Sequence, residues 1–174
     1  MKDVELRLIA ELMKNSRRSD RELAKAVGIS QPTVSRTLKK LEKEGYIREY
    51  TIIPNFSKLG FTILAITFVK LESALDPQQI DKARKIAKES LEPGPFEIVM
   101  LERGIGLGFE GVVISYHEDY STYTKFLQWL RQFDFLKVDR IQSFLVNLND
   151  EIRYRPWTYT AIANYVSHMK QKKE

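Results

Sequence analysis

The chain has 174 residues, 43% of them apolar, and 28 Lys/Arg against 23 Asp/Glu give it a net charge of +5. That is enough for one large domain or two small ones, and it excludes a disordered chain. With no cysteine there is no disulfide framework and no Cys-based zinc site, and two histidines leave little for a metal centre or a general base. No cofactor and no metal are expected. The segment Met1–Glu5 is charged where a signal peptide is apolar. The longest apolar run, Phe61 to Val69, is too short to cross a bilayer. A cytoplasmic protein without membrane contact is expected. Charge is uneven along the chain: residues 1–50 carry 12 Lys/Arg and 8 Asp/Glu, a net of +4, which leaves +1 for residues 51–174. Counterion release on a polyanion needs such a local excess.

Asp3 is expected to cap a first helix running to about Lys14, with Leu6, Ile9, Leu12 and Met13 on its apolar side. A second helix starts at Ser19, whose hydroxyl and Glu22 three residues on form a capping box. Leu23, Ala24 and Val27 give it one apolar face, and Gly28 ends it, because glycine tolerates the left-handed conformation that helix ends adopt. Ile29 is a core anchor. Ser30 caps a third helix from Gln31 to about Glu44, with Pro32 in the first turn, where its missing N–H costs nothing.

At 100° per residue, Val34, Leu38 and Leu41 fall within roughly 60° of one another. Pro32, Arg36, Lys39 and Lys43 lie opposite, flanked by Thr33 and Lys40 on one side and Ser35 on the other. A helix that buries the first set presents the second outward. Helix, glycine-centred turn and second helix make a helix-turn-helix, and double-stranded DNA is its expected partner. Gln31, Thr33, Ser35 and Arg36 are the expected base readers, since Gln pairs with adenine and Arg with guanine. Lys39, Lys40 and Lys43 are expected at phosphates, as are Arg17, Arg18 and the Ser19 cap at the start of the second helix. Residues 46–53 are β-rich and resemble a wing, with Arg48 placed for flanking backbone.

The expected boundaries are a winged helix-turn-helix domain at 1–54, a linker at 55–60, a ferredoxin-like regulatory and dimerisation domain at 61–148, and a C-terminal extension at 149–174. In the third segment a strand over 61–71 precedes a helix from Asp76-Pro77 to about Leu91, with Ile80, Ala83, Ala87 and Leu91 inward. Strands at 96–102 and 109–116 flank a glycine-rich turn, a helix spans 120–133, and a last strand covers 138–148. This β-α-β-β-α-β order is ferredoxin-like, so the fold class is α+β. Such a sheet leaves one face open, and an open apolar face invites a second copy. In the extension, Trp157, Ile162, Val166 and Met169 are expected on one apolar side of a helix.

The residues Leu23-Ala24-Lys25-Ala26-Val27-Gly28-Ile29-Ser30, Val34-Ser35-Arg36, Leu41 to Ile47 and Leu59-Gly60-Phe61, followed by that strand and helix order, resemble the Lrp/AsnC (feast/famine) transcriptional regulators. The resemblance covers about residues 3–148. It implies a DNA-binding regulator that forms homodimers or larger rings, controlled by a small-molecule effector such as an amino acid. In the family the turn between the second and third strands of the sheet domain typically reads Gly-x-Tyr/Phe-Asp and helps line the effector pocket. Here it reads Gly104-Ile105-Gly106-Leu107-Gly108-Phe109-Glu110-Gly111, with the glycine present and the aspartate not in its usual place. Gly104, Gly106 and Gly108 are the candidate effector contacts, and another effector or none stays open.

Gly106 to Gly111 also satisfies G-x-G-x-x-G. A strand follows it rather than a helix, so it reads as a hairpin turn and not a dinucleotide site. His117, Glu118 and Asp119 sit at a strand-to-helix junction, where the carboxylates are helix starters. Two alternatives remain at this level. One is an enzyme on the same architecture, resembling haem-pathway decarboxylases. The other is an architectural protein that binds DNA with little sequence preference. The polar face of the third helix and the shortage of histidine favour a non-enzymatic regulator.

Overall fold

A computed structural model describes residues 2–71, 76–91, 95–133, 136–152 and 155–169. The chain divides into two compact units, Met1–Pro54 with Tyr154–Glu174, and Asn55–Arg153.

Three helices form the core of the first unit: α1 (Asp3–Lys14), α2 (Asp20–Val27) and α3 (Gln31–Lys43). Leu8 and Leu12 of α1, Leu23 and Val27 of α2, and Val34 and Leu38 of α3 close one apolar cluster, with Val4, Ala24, Ile29 and Ile47 packed at its margin. The cap of α1 differs from expectation. Asp3 is already helical, and the Glu5 carboxylate accepts the Lys2 N–H at 2.6 Å.

The apolar side of α1 also differs: it is two sides rather than one. Leu6 and Ala10 are fully buried yet lie outside the three-helix cluster, and Leu6 is 200° around the helix from Leu8. A further helix, α6 (Thr160–Ser167), packs on α1. Ala163 is its buried residue, whereas Trp157, Ile162 and Met169 of the expected apolar side are exposed. A small residue at a helix contact lets two axes approach closely, and here that outweighs the larger side chains.

Residues 46–55 form no strand, contrary to the β-rich wing expected there. The segment is an arm held at separate points. The Ile47 N–H bonds to the Leu41 carbonyl, Ser16 Oγ donates to the Thr51 carbonyl at 2.7 Å, and Tyr50 Oη donates to Glu42 Oε1 at 2.7 Å. A strand needs a neighbouring backbone, and these anchors are a helix end and side chains.

The second unit opens with a 3-10 turn at Phe56–Leu59, so the expected connector is itself ordered. Phe56 stacks on Tyr116 with ring centroids 3.8 Å apart. Then come β1 (Ile63–Leu71), α4 (Pro77–Leu91), β2 (Glu97–Gly106), β3 (Phe109–His117), α5 (Tyr120–Leu130) and β4 (Leu136–Asn147). The strands form one antiparallel sheet in the order β2-β3-β1-β4. This is the ferredoxin-like arrangement, and the fold class is α+β. The expected inward residues Ala83, Ala87 and Leu91 of α4 lie outside the described side chains.

Strand alternation assigns the two faces of the sheet. Ala65, Thr67 and Val69 of β1 and Val113, Ser115 and His117 of β3 are buried on one face. Tyr123, Phe126 and Leu130 of α5 share that core. Asp119 starts α5 by accepting the Thr122 N–H at 2.7 Å, which makes it the helix-starting carboxylate expected from sequence. Thr67 pairs with Ser143 at 2.8 Å, and Ser115 with His117 Nε2 at 2.9 Å. His117 Nδ1 has no hydrogen-bond partner among the described residues. The other face carries Leu64, Ile66 and Phe68 of β1, Val112, Ile114 and Tyr116 of β3, and Phe144 of β4, which is 65% exposed.

Burial drives the His117 imidazole down to about 4, so the folded core holds it neutral. An unfolded histidine takes its proton near 6.5, so between pH 6.5 and 4 the unfolded chain binds protons that the folded one refuses. Stability at this site therefore falls as pH drops through that window, by up to about 3 kcal/mol. His117→Leu should abolish that component, seen as a smaller difference between urea unfolding free energies at pH 7 and pH 4.5 than in the wild type.

Candidate nucleic-acid interface

The α2–turn–α3 segment is fixed by its own caps. The Ser19 N–H donates to Glu22 Oε2 at 2.8 Å, the Ser19 hydroxyl bonds the same oxygen at 2.7 Å, and it accepts the Glu22 N–H. Those bonds hold the Glu22 carboxyl below its usual range. Gly28 closes α2 with φ at 78°, and its N–H bonds the Ala24 carbonyl at 2.9 Å. Ser30 Oγ accepts the Thr33 N–H to open α3. The angle between the helices is thereby set by local bonds as well as by the core.

On α3, Val34, Leu38 and Leu41 are buried and the opposite side is open. Gln31, Arg36, Lys39 and Lys43 are exposed, and among the described residues no hydrogen bond or ion pair engages their side chains. Arg48 on the arm and Arg17 before α2 are likewise exposed cations without an acidic partner among the described residues. Ser35 is half-buried. It lines a cleft of about 270 Å³ together with Arg18, Asp20, Lys39, Glu42 and Tyr50. Burial and the Glu42 bond push the Tyr50 phenol up to about 12, so it stays a donor that keeps the arm beside α3.

The remaining expected contacts are engaged within the protein. Thr33 Oγ1 pairs with Ser30 Oγ at 2.8 Å. Arg18 is bonded to Glu11, whose second cation, Lys14, lies at 2.8 Å. The Ser19 hydroxyl and N–H both go to Glu22, which with Asp20 makes the start of α2 acidic rather than anion-seeking. Lys40, though its side chain is 48% exposed, bonds Glu5, its ammonium 2.8 Å from Glu5 Oε1. Glu5 is 5% exposed and lies 35 residues away in sequence. Its place on α1, three and seven residues before the buried Leu8 and Leu12, is the periodic signal that could have marked it.

In the second unit the candidate effector glycines do not share one turn. Gly104 and Gly106 belong to β2, which runs longer than expected. The reversal itself is Leu107-Gly108, with φ of 53° and 81°. Two residues at positive φ make the tight hairpin that suits strand twist. The Gly108 carbonyl accepts from Lys70 Nζ at 2.8 Å, and Glu110 accepts the Leu71 N–H at 3.1 Å. All three glycines are exposed. The G-x-G-x-x-G pattern is thus a β-hairpin. Among the described residues no group of three or more His, Asp or Glu is placed to hold a metal, and no helix is long and apolar enough to cross a membrane.

A capped three-helix unit with an unpartnered basic face, joined to an antiparallel ferredoxin-like sheet, defines a two-unit protein of the helix-turn-helix class. Residues 1–48 match the family model described as winged helix-turn-helix DNA-binding. An HTH-type transcriptional regulator of Pyrococcus furiosus is 37% identical over 106 residues, which are 61% of this chain and 66% of that one. The leucine-responsive regulatory protein of Rhizobium meliloti is 37% identical over 73 residues, 42% of this chain and 47% of that one. The chain thus spans about half to just under two thirds of the curated relatives it matches.

Among solved structures, an AsnC family transcriptional regulator from Agrobacterium tumefaciens has a TM-score of 0.70 at 18% identity, covering 88% of this chain and 94% of that one. A transcriptional regulator of Neisseria meningitidis in complex with L-Met has a TM-score of 0.69 at 20% identity, covering 93% and 99%. At these identities the likeness is one of fold. The chain is thus similar to HTH-type transcriptional regulators, a leucine-responsive regulatory protein among them, over its N-terminal part, and it shares the fold of AsnC family structures.

Gly28 tests the geometry of the motif. Its positive φ strains any residue with a Cβ although the space around it is free, so Gly28→Ala should destabilise the N-terminal unit by about 1 kcal/mol, read as a lowered Tm.

Proposed function

We infer that the protein is a sequence-specific, DNA-binding transcriptional regulator that acts in the cytoplasm as a homodimer or larger assembly. The observation that carries this reading is the outer face of α3. Arg36, Lys39 and Lys43 stand on one exposed side opposite the buried seam, and Gln31 is exposed at the N-terminal end of the helix, all without protein partners among the described residues. Gln31 and Arg36, in the N-terminal half, supply base contacts, with Thr33 and Ser35 beside them. Lys39 and Lys43 meet phosphates, and Arg17 and Arg48 extend the track along the backbone.

The open face of the sheet supplies the pairing surface. Leu64, Ile66, Phe68, Val112, Ile114 and Phe144 form a contiguous apolar patch with no helix of this chain described over it, and a second copy of the same face complements it by two-fold symmetry. A two-fold pair of recognition helices reads a pseudo-palindrome. The exposed backbone at Gly104, Gly106 and Gly108 is the effector site proposed here. A neighbour of the same fold was solved with L-Met, and a small effector such as an amino acid is the ligand class proposed here.

Selection of bound fragments from genomic DNA, at fixed salt and with or without amino acids, tests the reading. On the enriched sequence, Arg36→Ala should cost about 1–3 kcal/mol and relax the preference at one base pair. Lys39→Ala should weaken all sequences alike and lower the salt slope by about one. If neither change alters binding to any DNA, the reading fails. Ile114→Asp, placing a charge in the apolar patch, should convert the assembly to monomers in sedimentation velocity, and an unchanged sedimentation coefficient would rule out pairing through this face.

A further inference from the structure

We propose that Glu5 is a positioning residue for DNA reading: through Lys40 it fixes the roll of the recognition helix α3 against α1 and so sets sequence preference without touching DNA. The proposal rests on the DNA-binding reading above and deepens it. Three observations carry it.

The first is the nature of the seam. Val34, Leu38 and Leu41 hold α3 by aliphatic contact, which is strong but non-directional. Such a surface tolerates small rolls and slides. A charged hydrogen bond does not, because it has a required direction and length.

The second is the geometry of the pair. Both Glu5 oxygens are used: Oε1 accepts from Lys40 Nζ at 2.8 Å and Oε2 accepts the Lys2 N–H at 2.6 Å. The Lys40 ammonium also lies 3.8 Å from Glu44, one turn on. The Lys40 bond, and then the Lys2 N–H, hold the Glu5 carboxyl below its usual range. The same bond raises the Lys40 ammonium. Taking a carboxylate out of water for one cation adds little net stability, and an apolar residue would pack there as well. What the pair supplies is one preferred arrangement of two helices.

The third is leverage. Lys40 is one turn from Arg36 and borders Lys39 and Lys43. A roll of about 10° moves a side chain at the helix surface by about 1 Å. A bidentate base contact is held within roughly 0.5 Å of its productive place. A loosened roll therefore blurs base reading, while phosphate contact, which long flexible lysines restore from several positions, survives.

The test uses the full chain with Glu5→Leu, Glu5→Gln and Lys40→Met. Binding is measured to the selected operator and to random-sequence DNA over a range of salt, and amide hydrogen exchange is followed without DNA. Positioning predicts that Glu5→Leu and Lys40→Met lower operator affinity about tenfold while random-DNA affinity stays within about twofold and the salt slope is unchanged. It also predicts faster exchange in α3 than in α2. Glu5→Gln keeps the side-chain volume and one acceptor, and should fall between wild type and Glu5→Leu, so the series can be read even where the leucine variant folds poorly. A Lys40→Met salt slope lowered by about one would make Lys40 a phosphate contact and overturn the proposal. Equal gains in both affinities for Glu5→Leu would reduce Glu5 to a repelling charge and overturn it too. A wild-type chain with no preference among DNA sequences sinks the sequence-specific reading and the positioning role with it; a wild type that prefers the operator, with variants of unchanged operator affinity and α3 exchange, sinks the positioning role alone.

Discussion

The apolar contact among Leu8, Leu12, Leu23, Val27, Val34 and Leu38 is the constraint on which the N-terminal unit depends. It decides which side of α3 meets water. Every residue of that helix is then assigned by its angle: Val34, Leu38 and Leu41 inward, Arg36, Lys39 and Lys43 outward. The caps at Ser19 and Ser30 and the left-handed Gly28 fix where each helix stops, so the seam meets in one register. The basic face is therefore a result of core packing. Its charge is not balanced locally because the acidic residues nearby, Glu5, Glu11 and Glu22, are tied to Lys40, Arg18 and Ser19.

The sheet unit follows a different rule with a similar outcome. Alternation along β1 and β3 sorts side chains between a face shared with α5 and a face over which no helix lies among the described residues. Among the described residues of the covered face, Thr67 pairs with Ser143 and Ser115 with His117 Nε2. The uncovered face is aliphatic and aromatic, which is costly in water and favourable against another such face. In both units, how apolar residues are spaced decides which surface is left outside: a basic helix face in one and an apolar sheet face in the other.

Much of this was legible in the sequence because it is local. The Ser19–Glu22 capping box, the Gly28 stop, Pro32 in the first turn of α3 and the strand and helix order of the second unit all follow from spacing within a few residues. The errors arose where distant partners decide. Lys40 is an exposed cation by its angle, but its bond to Glu5, 35 residues earlier, is not legible from local spacing. The segment 46–53 has strand composition but no neighbouring backbone, so it stays an arm. In α6, the large side chains suggested the packed face, whereas close approach to α1 selected Ala163. In the β2–β3 hairpin the glycines suggest a long turn, because glycine signals reversal, yet only Leu107 and Gly108 make it, and Gly104 and Gly106 continue the strand.

The packing of α6 on α1 has a consequence for biosynthesis. Residues 3–43 emerge from the ribosome early and can close their three-helix core, but Leu6 and Ala10 await a helix encoded about a hundred residues downstream of Pro54. At roughly 5–20 residues per second, the outer side of α1 stays bare for about 5–20 s while the sheet is made. The N-terminal unit therefore completes its packing only after the sheet unit, which lies between its two parts in sequence, has been synthesised.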